Sequence, residues 1–146
     1  EIACLFHDVG KIKVPDSILL KKDKLDTPER REMMRHPEYG AEILSNARSL
    51  LKYIPAVRHH HERYDGMGYP DGLSGKKIPL AAAIISLADM YDAVTSDRPY
   101  RKALSDEQAQ AEIAGLAGMQ FDPELSARFV NLLKRKTAGS ALKPGE

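Results

Sequence analysis

The thirteen residues Arg58 to Pro70, RHHHERYDGMGYP, constrain what the rest of the chain can fold into. Three consecutive histidines are followed by Glu62 and Asp65, then by the turn-forming Gly66-Met67-Gly68-Tyr69-Pro70. Leu50, Leu51, Ile54 and Val57 form a helical apolar stripe that leads into the histidines, so a helix arrives there and must stop. Pro55 lies inside that stripe and either starts the ordered helix or kinks it. Beyond the histidines, Gly66, Gly68, Gly72, Gly75 and Pro70 rule out a helix between Asp65 and Ile78. A long loop inside a compact domain is commonly functional.

The remaining segments read as helices with identifiable starts and stops. Residues 1–9 form the last turns of an apolar helix, with Gly10 as its stop. Asp16 caps a short helix over 17–22. Thr27-Pro28-Glu29 combines a hydroxyl cap, a proline at the first position and an acid in the first turn, for a helix ending near Arg35. Pro37-Glu38 opens the next helix, which frays at Ser45-Asn46. Pro79 precedes the most apolar helix, from Leu80 to about Val94. Ser105 and Gln108 match a capping box for a helix to about Leu116, and Asp122-Pro123-Glu124 starts a last helix to about Lys136. No period-two alternation or hairpin signal appears. The expected fold is all-α, a compact bundle of about seven or eight short helices.

A length of 146 residues suits one domain, expected over 1–136 with a frayed tail at 137–146. Because Glu1 to Phe6 reads as the inside of a helix with no cap before it, the domain is expected to be truncated at its N-terminus. Lys+Arg 22 against Asp+Glu 21 leaves no basic surface for a nucleic acid polymer. Cys4 is the single cysteine, so an intrachain disulfide is excluded; it reads as a buried small hydrophobe. No signal peptide or membrane span is visible, which favours the cytoplasm.

Chemistry concentrates in polar residues that interrupt apolar or helix-end positions: His7, Asp8, His36, His60, His61 and Asp89. Adjacent residues on a helix point about 100° apart. Neighbour pairs such as His7-Asp8 and His60-His61 therefore address two ions, or one ion from a helix end. Mixed imidazole and carboxylate donors suit Fe, Mn, Co, Ni or Zn better than Mg or Ca. Each histidine also has an ordinary reading: a helix C-terminal cation at His7, a pre-proline cap at His36, a wet helix end at His59 to His61. Asp89 is harder to explain so, because a carboxylate on an apolar helix is costly to bury without a partner. On these residues alone, a metal site and a set of solvated helix ends both remain open.

The ordered motifs HDVGK, HPEYG, HHERYDGMGYP and ADMYDAVTSDRPYR are more specific. Spaced 29 residues from His7 to His36, 24 to His60, and 28 from His61 to Asp89, they resemble the HD-GYP family of bacterial phosphodiesterases. That family is a branch of the HD metal-dependent hydrolase superfamily, and the resemblance runs from His7 to Pro123. It implies an all-helical domain that hydrolyses cyclic di-GMP to linear pGpG, in some members on to GMP, with two or three divalent ions, iron or manganese. The implied metal ligands are His7, Asp8, His36, His60, His61 and Asp89, with Asp8 bridging. Lys11 is implied to face the scissile phosphate, which makes Asp8 and Lys11 the catalytic pair. Gly68, Tyr69, Pro70, Arg98 and Arg101 are the implied substrate contacts, and Glu62 and Asp92 read as partners that orient imidazoles or a loop. His59 has no role in the pattern. Three-metal members draw a further Glu and His from an upstream helix that this chain does not include.

The expected reaction is in-line displacement at phosphorus by a metal-activated water. Lys11 and the two arginines would neutralise phosphoryl oxygens. The rival readings are an HD hydrolase for another cyclic dinucleotide or nucleotide ester, and a catalytically impaired sensor or docking module. Such a module would bind the dinucleotide, or a diguanylate cyclase domain, through the loop at Gly66 to Tyr69. Family members also carry N-terminal receiver or sensor domains, so one is expected in the parent protein.

Overall fold

The computed structural model describes residues 1–97 and 102–140. The expectations for Arg98, Arg101 and the end of the tail (141–146) lie outside the described residues. The α-helices are α1 (Ile2–Phe6), α2 (Asp16–Leu19), α3 (Thr27–Met33), α4 (His36–Ser45), α5 (Ile54–Arg58), α6 (Leu80–Thr95), α7 (Asp106–Gly115) and α8 (Pro123–Ser140). Three 3-10 turns, at Val9–Lys13, Arg48–Tyr53 and Gly75–Lys77, connect them. No strand forms among the described residues, and one isolated bridge pairs Ala117 with Phe121. The all-α expectation holds.

Two apolar centres organise the helices. In the first, α4 packs on α5 and on the Val9–Lys13 turn, burying Val14, Ala41, Leu44, Ala56 and Val57. In the second, Leu87 of α6, Ile113 of α7 and Phe121 meet Met90, Tyr91, Leu116, Leu125, Phe129 and Val130. α6 touches both, because it packs against α5 and against α7. Its length and its apolar character on several faces follow from that double role.

Several local expectations change. Gly10 does not end α1 in a left-handed conformation; α1 stops at Phe6, and Gly10 is buried within the following 3-10 turn. A Cβ on Gly10 would lie 1.9 Å from the His36 carbonyl oxygen and 2.4 Å from the Gly40 nitrogen. The glycine is there because two backbones touch. Asp16 lies inside α2 and makes no capping hydrogen bond. The cap of α3 is Asp26, not Thr27, in a reciprocal capping box with Glu29. Pro55 sits in the first turn of α5 and starts it. Cys4 is exposed, since α1 buries none of its residues. α8 continues to Ser140, four residues past Lys136.

The Gly10 contact yields a direct test. Gly10→Ala forces a methyl into two backbone groups that cannot yield. The expected loss is about 1–3 kcal/mol or more, read as a lower thermal midpoint with reduced metal retention. An unchanged midpoint would contradict the close approach.

Candidate metal centre

Three histidines owe their orientation to the backbone one turn upstream. His7 Nδ1 donates to the Cys4 carbonyl at 2.6 Å, His36 Nδ1 to that of Met33 at 2.8 Å, and His60 Nδ1 to that of Val57 at 2.7 Å. A carbonyl can only accept, so Nδ1 carries the proton and Nε2 presents its lone pair. This is the arrangement in which imidazole binds metals, with its other nitrogen fixed by a hydrogen bond.

The Nε2 atoms converge. Those of His36 and His60 lie 3.3 Å apart, with both residues almost fully buried. With both protons held on Nδ1, two lone pairs face one another across that gap, which is unfavourable unless a cation lies between them. Ligands about 2.0–2.2 Å from one ion stand roughly 3.0–3.5 Å apart, so the spacing fits shared coordination. Asp8, His36, His60 and His61 each offer one ligand atom within 4.8 Å of the others. His61 packs edge-on to His36 with ring centroids 4.9 Å apart, and lies 4.1 Å from the His60 ring.

Asp8 faces two ways. One carboxylate oxygen lies 3.3 Å from His36 Nε2, and the other 3.6 Å from His7 Nε2. His7 Nε2 is in turn 3.9 Å from Asp89 Oδ1. The six residues expected from the sequence therefore come together as two groups that share Asp8. The His36–His60 side is dry, and Asp89 is 45 % exposed, so the centre opens towards solvent on the His7–Asp89 side.

The electrostatics suit a cation. At Asp8 burial opposes ionisation, but the hydrogen bond from Lys11 and the Lys11 charge hold the carboxylate form. Its carboxyl is held well below the usual range. Lys11 Nζ donates to Asp8 at 2.5 Å, so this lysine lies at the edge of the centre. Burial pushes His60 down to about 4 and His61 down to about 3, keeping both neutral. Neutral imidazoles beside an ionised carboxylate form a ready cation site.

The loop is tied to the same helix end. Glu62 is buried and accepts from the backbone N–H groups of Asp71 at 2.8 Å and Leu73 at 3.0 Å. It thus orients the loop. The Tyr69 N–H donates to the His61 carbonyl, and the Tyr69 ring stacks on His61 with centroids 4.9 Å apart. Gly68 allows this fold-back, because a Cβ there would sit 2.3 Å from the Arg63 nitrogen. Asp92 is exposed and touches no imidazole among the described residues; it lines a cavity with His7 and Asp89.

Sequence reasoning missed one network. Arg58 makes a two-pronged ion pair with Asp71 at 2.9 and 2.8 Å. His59 Nδ1 points between Asp71, at 3.5 Å, and Glu62, at 3.7 Å. His59 therefore backs the loop. Asp71, the sole acid between Asp65 and Ile78, was the signal: a charge in a glycine-rich loop needs a partner.

A family model described as HD domain matches residues 1–125. The cyclic di-GMP phosphodiesterase response regulator RpfG of Xanthomonas campestris is 47% identical over 94% of this chain. A cyclic di-GMP phosphodiesterase of Thermotoga maritima is 42% identical over 94%, and 3′3′-cGAMP-specific phosphodiesterase 2 of Vibrio cholerae 42% identical over 82%. The chain spans 36%, 38% and 23% of those proteins respectively. A solved cyclic GMP-AMP specific phosphodiesterase of Vibrio cholerae, V-cGAP3, shares the fold, with a TM-score of 0.67 at 18% identity over 94% of this chain and 37% of its own.

The buried histidines give the metal-free protein a defined pH dependence. An unfolded imidazole titrates near 6.5, whereas His60 and His61 stay neutral down to about 4 and 3. Between about pH 6.5 and 4 the unfolded chain binds protons that the folded chain does not, so stability falls as pH drops through that window. Asp8 acts outside it, below the ordinary carboxylate range. The thermal midpoint of chelator-treated protein should decline steadily from pH 6.5 to 4.5. A flat midpoint would place these rings in water.

Proposed function

The chain belongs to the HD domain family, and on that premise we propose that it is the catalytic portion of a metal-dependent cyclic di-GMP phosphodiesterase. In this reading it opens the ring to linear pGpG and carries some product on to GMP. The observation that carries it is Asp8, with His36, His60 and His61 on one side and His7 and Asp89 on the other. Relatives named for cyclic di-GMP at 47% and 42% identity support the substrate.

His7, Asp8, His36, His60, His61 and Asp89 would hold two divalent ions of the kind mixed imidazole and carboxylate donors suit, Fe, Mn, Co, Ni or Zn, with iron or manganese implied by the family resemblance. Bound there, such ions supply an acidified water and neutralise charge on phosphoryl oxygens. The protein's own part is positional. Asp8 spans the two groups. Lys11 brings a compact ammonium to the edge where a phosphate would enter. Gly68, Tyr69 and Pro70 wall the side next to His61. Arg98 and Arg101 are assigned to the substrate's phosphates as forked donors. A third ion is assigned to the parent protein, if it supplies the further Glu and His.

The second reading, cyclic GMP-AMP as substrate, is favoured by the 3′3′-cGAMP-specific relative at 42% identity. Because the chain spans about a third of RpfG, which is named a response regulator, a receiver or sensor domain is assigned to the parent protein. A diguanylate cyclase domain is a further partner of this reading, meeting the loop at Gly66 to Tyr69. No helix among the described residues is long and apolar enough to cross a membrane, and a cytoplasmic setting belongs to the same proposal.

Two measurements test it. Asp8→Ala should lower bound metal and cyclic di-GMP hydrolysis together, to background; full turnover in that variant sinks the assignment. Product analysis of anaerobically purified protein given cyclic di-GMP, 3′3′-cyclic GMP-AMP and a generic bis-ester should show cyclic di-GMP preferred. Equal turnover of all three would leave a general diesterase.

A further inference from the structure

Beside His61 lies a cavity of about 360 Å³ lined by Arg30, Met34, His61, Arg63, Met67, Gly68 and Tyr69. That is within the size of small-molecule sites, roughly 300–1,000 Å³. Its walls divide sharply by chemistry. Met34 and Met67 are polarisable and adaptable, as suits the faces of a flat ring, and Met67 is 80% exposed. The Tyr69 ring is fixed by its stacking on His61.

The two arginines differ. Arg63 is committed to Asp65 through a two-pronged ion pair at 3.0 and 2.6 Å. Arg30, on α3, is exposed, and its guanidinium makes no hydrogen bond or ion pair among the described residues. Its fork of donors faces a cavity that begins at a metal-centre residue. In a cyclic dinucleotide the base is one sugar away from the phosphate, so a phosphate at the centre brings a base into this space.

We propose that Arg30 is a specificity-determining residue that reads the guanine edge of the nucleotide seated against Met34, Met67 and Tyr69. Guanine presents two adjacent acceptors, O6 and N7, to which a guanidinium donates with two parallel hydrogen bonds. Adenine places an amino donor beside N7 and opposes the fork. Lysine has the charge without the fork. The assignment rests on the phosphodiesterase reading above and names the base preference of that same site.

The test compares Arg30→Gln and Arg30→Lys with the wild-type chain, all metal-loaded and matched for metal content and thermal midpoint. The readout is the ratio of kcat/KM for cyclic di-GMP to that for cyclic di-AMP. Both substitutions should lower the ratio by roughly ten- to a hundred-fold, the discrimination one such pair provides. Affinities for GMP and AMP, from calorimetry on the same proteins, should shift in the same sense without turnover. An unchanged ratio overturns the assignment. So does an equal loss for both substrates that Lys restores, which would make Arg30 a phosphate clamp. Wild-type protein that holds metal and hydrolyses neither substrate overturns the phosphodiesterase reading and this assignment with it, whereas wild-type turnover with an unaltered ratio in the variants overturns this assignment alone.

Discussion

Where the Val9–Lys13 turn meets α4, Gly10 rests directly on the backbone of His36 and Gly40. Gly40 is itself confined, since a Cβ there would meet Val57 of α5 at 2.8 Å. Three segments distant in sequence are thereby brought to backbone distance, and each carries centre residues within a few positions. Asp8 precedes Gly10 by two, His36 is the contact itself, and His60 and His61 follow Val57 by three and four. Each contact leaves little freedom to slide, because the atoms that meet are backbone or a β-branched side chain stiff at χ1. The donor cluster follows from this packing.

The fold also sets the protonation of the cluster without using further side chains. At His7, His36 and His60 the carbonyl three residues back takes the Nδ1 proton. That carbonyl is available because each histidine sits at a helix end or just beyond one, where carbonyls are left without intrahelical partners. Burial then removes water as a competitor and keeps His60 and His61 neutral. Many metal sites use carboxylates behind their histidines. Here the acid behind the histidine run, Glu62, is occupied with the loop.

Much of this was legible in the sequence, and what was not has identifiable causes. Helix starts with side-chain caps and prolines were readable because their signals are local: Ser105 with Gln108, Asp122 and Pro79. The convergence of the six residues was readable because their types are rare at such positions and their order resembles a known family. Gly10 was misjudged because a glycine after an apolar run looks the same whether it serves a turn or a close approach; the second needs a partner 26 residues away. Cys4 was misjudged because apolar composition says nothing of whether a face has a neighbour, and α1 leaves Leu5 81% exposed. Thr27 lost the cap to Asp26 by one position, within the usual uncertainty of helix ends. Arg30 and His59 carried no motif, and their roles arise where separate segments meet.

The attachment of the loop has a consequence for how a bulky ligand arrives. Glu62, one residue beyond His61, clasps the loop through Asp71 and Leu73, and the Tyr69 N–H closes on His61 itself. The Tyr64 and Asp65 N–H groups also donate to the carbonyls of Gln120 and Met119. The loop resembles a fixed jaw bolted to its anvil: swinging Tyr69 away would drag on the ring it stacks against. A ring seated beside His61 would therefore meet a wall already in place, with no loop to order when it arrives.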